Sequence, residues 1–177
     1  NLDLAKLLNS EIDLAYQVPL LKLDNKQEFR LNNHLQDKKL ILFHPGYGGS
    51  SEGNLTLDDY LTLSNTVRKL VNTQIIWVFG PDDLNAKEKV EGLIPDSDII
   101  YQPSTLLDYC YLIRDSELLI STSTGPMHLA GALNVKTISF FGDSLFASPE
   151  RWATVSDSNK QYNFKWNKEL KLIDIEQ

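Results

Sequence analysis

One cysteine, one methionine and three histidines are all that 177 residues contain of those types. A single thiol, Cys110, cannot form an intrachain disulfide, and three histidines with one cysteine offer no zinc-ligand spacing. The apolar helical pattern around Cys110 predicts burial, so a reducing compartment is expected. No stretch approaches the ~18–20 apolar residues of a membrane span, and no transmembrane segment is expected. The N-terminus, Asn1-Leu2-Asp3-Leu4, lacks both a signal-peptide signature and an initiating methionine. A fragment or a processed product is the expectation. Basic residues number 17 against 24 acidic ones, a net charge of −7, with no basic cluster. Phosphate backbones demand basic stripes, so general nucleic-acid binding is disfavoured, as is a polybasic membrane patch.

What is present is enough apolar sequence for one core without disulfides. Residues 3–16 carry Leu4, Leu7, Leu8, Ile12 and Ala15 at helical spacing, and Pro19 ends that helix. Residues 25–37 read as a polar helix or linker. From Lys39 the rhythm changes. Short apolar runs at 40–44, 75–79, 98–101, 117–120 and 137–141 alternate with amphipathic segments at 57–71, 83–92, 104–114 and 126–133. Continuous apolar runs are what strands buried on both faces require, and their alternation with helices predicts parallel βαβ units. The fold class expected is therefore α/β, a Rossmann-like parallel sheet with helices on both faces. Residues 1–37 are expected to be an extension, 38–155 the domain, and 156–177 a packed, irregular tail with a final helix. Ligands in such sheets bind outside the carboxyl ends of the strands, so the loops at 44–54, 80–83, 101–104, 121–126 and 142–151 share one rim.

The most informative stretch is Ser121-Thr122-Ser123-Thr124-Gly125-Pro126-Met127-His128-Leu129-Ala130-Gly131-Ala132-Leu133. An apolar strand runs into small hydroxyl residues and a glycine, and a helix follows. That order offers backbone N–H groups and a favourable helix dipole to an anion. Ser123, Thr124, Gly125 and His128 are the candidate contacts to a phosphate-bearing ligand. A second glycine-rich loop, with Gly46, Gly48, Gly49, Ser50 and Ser51, could cradle phosphate or a sugar hydroxyl. It has neither the Gly-Lys-Ser/Thr of a P-loop nor the spacing of the dinucleotide fingerprint. Arg151 could pair with phosphate, and Trp152 could wall the pocket. Gly80-Pro81-Asp82-Asp83 reads as a turn and helix start. No carboxylate cluster suggests a metal, and G-x-S-x-G is absent.

His44-Pro45-Gly46 with its loop, Phe79-Gly80, the 123–133 block and Phe140-Phe141-Gly142 together resemble glycosyltransferase family 9, the ADP-heptose:lipopolysaccharide heptosyltransferases. The resemblance covers about residues 38–152. It implies the C-terminal, donor-binding half of a GT-B enzyme, with residues 1–37 leading from an N-terminal domain. The implied donor is ADP-heptose or another nucleotide sugar, bound without a metal or other cofactor. The implied acceptor is lipid A/core oligosaccharide, held with the catalytic base by that N-terminal domain. The setting implied is the cytoplasm of a Gram-negative bacterium, at the inner face of the inner membrane. Two departures stand out: Gly53-Asn54-Leu55-Thr56 where many members carry Lys then Trp-Pro, and Ser123 where many carry Asp. A non-catalytic Rossmann-like nucleotide-binding module and a nucleotide-sugar epimerase stay open as alternatives.

Overall fold

The computed structural model describes residues 21–24, 28–46, 55–70 and 72–165, together with Leu7, Asn9 and Glu11. The helix expected over 3–16, the loop over 47–54 and the chain after Lys165 lie outside the described residues, apart from those single positions. Six strands form one sheet: β1 (Lys39–His44), β2 (Thr73–Val78), β3 (Ile99–Tyr101), β4 (Leu118–Thr122), β5 (Lys136–Phe141) and β6 (Gln161–Lys165). Their order is β3-β2-β1-β4-β5-β6, and every neighbouring pair is parallel. Among the described residues the helices are α1 (Glu28–Asn32), α2 (Leu57–Val67), α3 (Leu84–Glu91), α4 (Leu106–Arg114), α5 (Gly125–Ala132) and α6 (Pro149–Trp152).

Side-chain alternation along the central strands divides the core in two. Leu40, Leu42, Ile76 and Val78 pack with Tyr109, Leu112, Ile113 and Ala130 on one face. Ile41, Phe43, Ile75 and Trp77 pack with Tyr60, Leu63 and Val90 on the other. Helices therefore cover both faces, as the continuous apolar runs require. Thr56 caps α2 through a reciprocal box with Asp59: its hydroxyl accepts from the Asp59 N–H at 3.2 Å, and its own N–H donates to Asp59 Oδ2 at 2.8 Å. Thr105 caps α4, because its hydroxyl accepts from the Asp108 N–H at 3.0 Å.

The tail is more regular than expected. Residues 161–165 are a sixth strand beside β5, and Phe164 stacks on Phe140 with centroids 5.9 Å apart. Asn134, at φ 56°, ends α5, and its amide clamps Asp157 at 2.8 and 3.1 Å. Gly131 lets the tail approach α5, since a Cβ there would overlap Thr154. At the front, Arg30 donates to the carbonyls of Leu35 and Lys38 at 2.9 Å and also to that of Asp115, fastening α1 below the sheet.

Candidate functional site

The strand order reverses between β1 and β4, and such a switch point opens a crevice at the carboxyl ends of the strands. The register sets His44, the last residue of β1, beside Ser121 of β4. A cleft of about 460 Å³ lies there, walled by His44, Asp83, Tyr109, Thr124, Gly125 and Leu129. A second hollow of about 600 Å³ adjoins it, between Gly80-Pro81 and residues 102–106. The two share Gly80, Pro81, Leu106 and Tyr109.

One wall of the cleft donates hydrogen bonds. Ser123 extends β4 through its N–H, which donates to the Phe140 carbonyl at 3.1 Å. Thr124 then stands at the N-cap of α5, but its side chain makes no cap bond; the hydroxyl donates to the Thr122 carbonyl at 3.3 Å. In the first turn the Met127 N–H donates to the Thr124 carbonyl at 3.1 Å, and the Gly125 N–H is left without a side-chain cap. Pro126 at the second helical position has no N–H to satisfy. A Cβ built on Gly125 would meet nothing within 4 Å, so the N-terminus of α5 opens onto free space.

The opposite wall accepts. Asp83 Oδ2 accepts from the Gly80 N–H at 2.9 Å, and its carboxylate packs so close to Gly46 that a Cβ there would overlap it. His44 Nδ1 donates to the Val78 carbonyl at 3.0 Å, which fixes the tautomer and leaves Nε2 an acceptor. Burial lowers the His44 pKa below its usual 6.5, against the weaker opposing influences of the Val78 bond and the Asp83 charge. Tyr109 is buried with its hydroxyl unpartnered among the described residues, and burial first, then the Asp83 charge, raises its pKa. The carboxylate and the neutral imidazole accept here, and the Tyr109 phenol beside them can donate or accept.

The lowered pKa of His44 has a sign. The unfolded chain takes up a proton near pH 6.5 that the folded chain resists, so this stability is complete above that pH and is lost as pH falls below it. Urea unfolding from about pH 7.5 to about pH 5.5 is expected to show a fall in stability that becomes shallower in His44→Gln. Equal slopes in the two proteins would remove His44 as the cause.

The residues singled out from sequence thus divide. Thr124 and Gly125 line the switch-point cleft, and Gly46 packs against the carboxylate of Asp83 in its opposite wall. Gly48, Gly49, Ser50 and Ser51 lie outside the described residues. His128 is exposed on α5, its ring edge-on to Trp152 at 6.4 Å, and desolvation lowers its pKa. Arg151 lies beside the same tryptophan, 5.1 Å from its ring centroid. Trp152 thus packs beside α5 against His128 and Arg151 and is not among the described residues that line the cleft. His44, Asp83 and Tyr109 were missed as site residues. Gly80–Asp83 is the expected turn and helix start, but it is also a wall of the cleft; its place at a strand's carboxyl end was the available signal. Among the described residues no three His, Cys, Asp or Glu are grouped to hold a metal ion, and no helix is long and apolar enough to cross a membrane.

The sequence model of glycosyltransferase family 9 (heptosyltransferase) matches residues 1–174. Lipopolysaccharide heptosyltransferase 1 of Campylobacter coli is 30% identical over 139 residues, 73% of this chain and 40% of that protein. The chain thus spans about two fifths of the length of the curated relatives it matches. The fold is shared with the E. coli ADP-heptose LPS heptosyltransferase II, at a TM-score of 0.73 and 17% identity over 90% of this chain and 49% of that one. E. coli heptosyltransferase WaaC, solved with ADP, superposes at a TM-score of 0.64 with 16% identity, covering 93% of this chain and 51% of that one.

Proposed function

The chain belongs to glycosyltransferase family 9, and we propose that it is the donor-binding part of a heptosyltransferase, taking ADP-heptose as its nucleotide sugar. The observation that carries this reading is the uncapped N-terminus of α5, open at Gly125, at the switch point of a parallel sheet. A diphosphate fits the donating wall, where Gly125 N–H and the helix dipole meet negative charge. A phosphate does not fit against Asp83, so hydroxyl groups of ribose or of the transferred sugar face the acceptors Asp83 and His44 Nε2. The nucleoside occupies the adjoining hollow beside Phe79 and residues 102–106.

In this reading transfer breaks the bond between the anomeric carbon and the diphosphate while an acceptor hydroxyl attacks. Charge grows on the departing diphosphate, and donors already aimed at it lower the barrier without reorganising. His128 and Arg151 complete the anion-facing edge, and Ser123 with Gly46 shapes the backbone around it. The acceptor, a lipid A/core oligosaccharide hydroxyl, and the base are assigned to a preceding domain, at the cytoplasmic face of the inner membrane. An epimerase would need its own acid and base around the sugar; the family match favours transfer instead.

Calorimetric titration with ADP, UDP and GDP tests the reading. ADP is expected to bind most tightly, and His128→Ala to weaken it about fivefold to tenfold, the worth of one ordinary hydrogen bond at an exposed position. Unchanged affinity in a folded His128→Ala protein would remove that residue from the site. Preference for UDP or GDP would keep a glycosyltransferase and change its donor.

A further inference from the structure

Phe146 is 76% exposed, in the 3-10 turn Leu145–Ala147 that follows β5. A phenyl ring so placed contributes little to the core, yet it is engaged: the Arg151 guanidinium carbon lies 5.4 Å from its centroid. The same guanidinium lies 5.1 Å from the centroid of Trp152, which is 42% exposed. The indole N–H of Trp152 donates to the Phe146 carbonyl at 2.7 Å, which ties the tryptophan to the backbone of that turn. Ser148, buried beneath, donates to the Leu145 carbonyl at 3.2 Å and closes the turn.

Arg151 is also left unneutralised. Its neighbour Glu150 pairs with Lys165 of β6 at 2.7 Å, and chiefly that bond lowers the Glu150 pKa. Among the described residues Arg151 makes no ion pair. Trp152 also meets the His128 ring, at 6.4 Å. Guanidinium stacking on aromatic faces fixes its plane and leaves its N–H edge free for an anion.

We propose that Phe146 and Trp152 are positioning residues, an aromatic cradle that holds the Arg151 guanidinium ready for the diphosphate of the donor beside His128. The inference rests on the nucleotide-sugar reading above and goes beyond it in naming what orders the cation. A long arginine that is already ordered loses less side-chain freedom on binding.

The test is a double-mutant cycle read by calorimetric titration of the 177-residue chain with ADP, with circular dichroism confirming each fold. Arg151→Ala is expected to weaken ADP about tenfold. Phe146→Leu keeps bulk, removes the ring, and is expected to cost about threefold to fivefold. Phe146→Tyr restores affinity. In an Arg151→Ala background, Phe146→Leu is expected to cost nothing further. Full affinity in Phe146→Leu, or losses that simply multiply in the double variant, would overturn the cradle while leaving the nucleotide reading intact. Failure of the unsubstituted chain to bind ADP would overturn both.

Discussion

Gly125→Asp is expected to weaken nucleotide binding at least 100-fold while leaving the fold intact. The position separates the two effects unusually well. Nothing lies within 4 Å of a Cβ built there, so the new side chain meets no steric barrier. Gly125 opens α5, where an acidic side chain interacts favourably with the helix dipole, worth about 0.3–1 kcal/mol. Thermal stability should hold or rise slightly. The carboxylate would occupy the space and the N–H groups assigned to the diphosphate, and repel it. A 100-fold loss corresponds to about 2.7 kcal/mol, within reach of like charges in a partly enclosed cleft. Gly125→Ala is the steric control and should lose far less. Nucleotide affinity surviving in a folded Gly125→Asp protein would move the anion site away from α5.

Asp98→Ala is expected to cost about 3 kcal/mol of folding stability, with little direct effect on the cleft. Asp98 stands just before β3, at the amino end of the sheet, and its side chain is 3% exposed. Arg68, at the end of α2, holds it through both carboxylate oxygens, at 2.7 and 3.2 Å. The indole N–H of the fully buried Trp77 donates to Oδ2 at 2.9 Å. One carboxylate therefore ties α2, β2 and β3 together. Removing it leaves the Trp77 N–H without its partner inside the core and frees an arginine that is already partly in water. The second effect is the smaller, which puts the cost at the lower end for a buried pair. Asp98→Asn should recover part of the loss by accepting from Trp77. Chemical denaturation of the three proteins checks the order, and wild-type stability in Asp98→Ala would show the triad to be inert.

The sheet was readable in sequence because its central strands are apolar on both faces and separated by amphipathic helices. β6 was not: Gln161-Tyr162-Asn163-Phe164-Lys165 is mostly polar, pairs on one edge only, and packs chiefly through Phe164. Its strand character comes from β5 beside it, a tertiary cause that the local pattern does not carry. The α5 end of the site was likewise local, since Ser123, Thr124 and Gly125 are consecutive and lead directly into a helix. The opposing wall was not local. His44, Asp83 and Tyr109 come from β1, the loop before α3, and α4, and only the parallel register and the chain reversal bring them together. In sequence Asp98 is only the first residue of the 98–101 strand run; packing alone shows that Arg68 and Trp77 hold it. Arg151 was legible as a cation but not its aromatic setting, because a ring five positions earlier in an irregular turn has no periodic relation to it.

The most direct measurement is an amide chemical-shift titration of the 177-residue chain with ADP. The largest changes are expected at the N–H groups of Thr124 and Gly125, with smaller ones at Gly80 and residues 102–106, all saturating with one dissociation constant. Saturable binding whose shifts leave Thr124 and Gly125 unmoved would contradict a diphosphate at the N-terminus of α5.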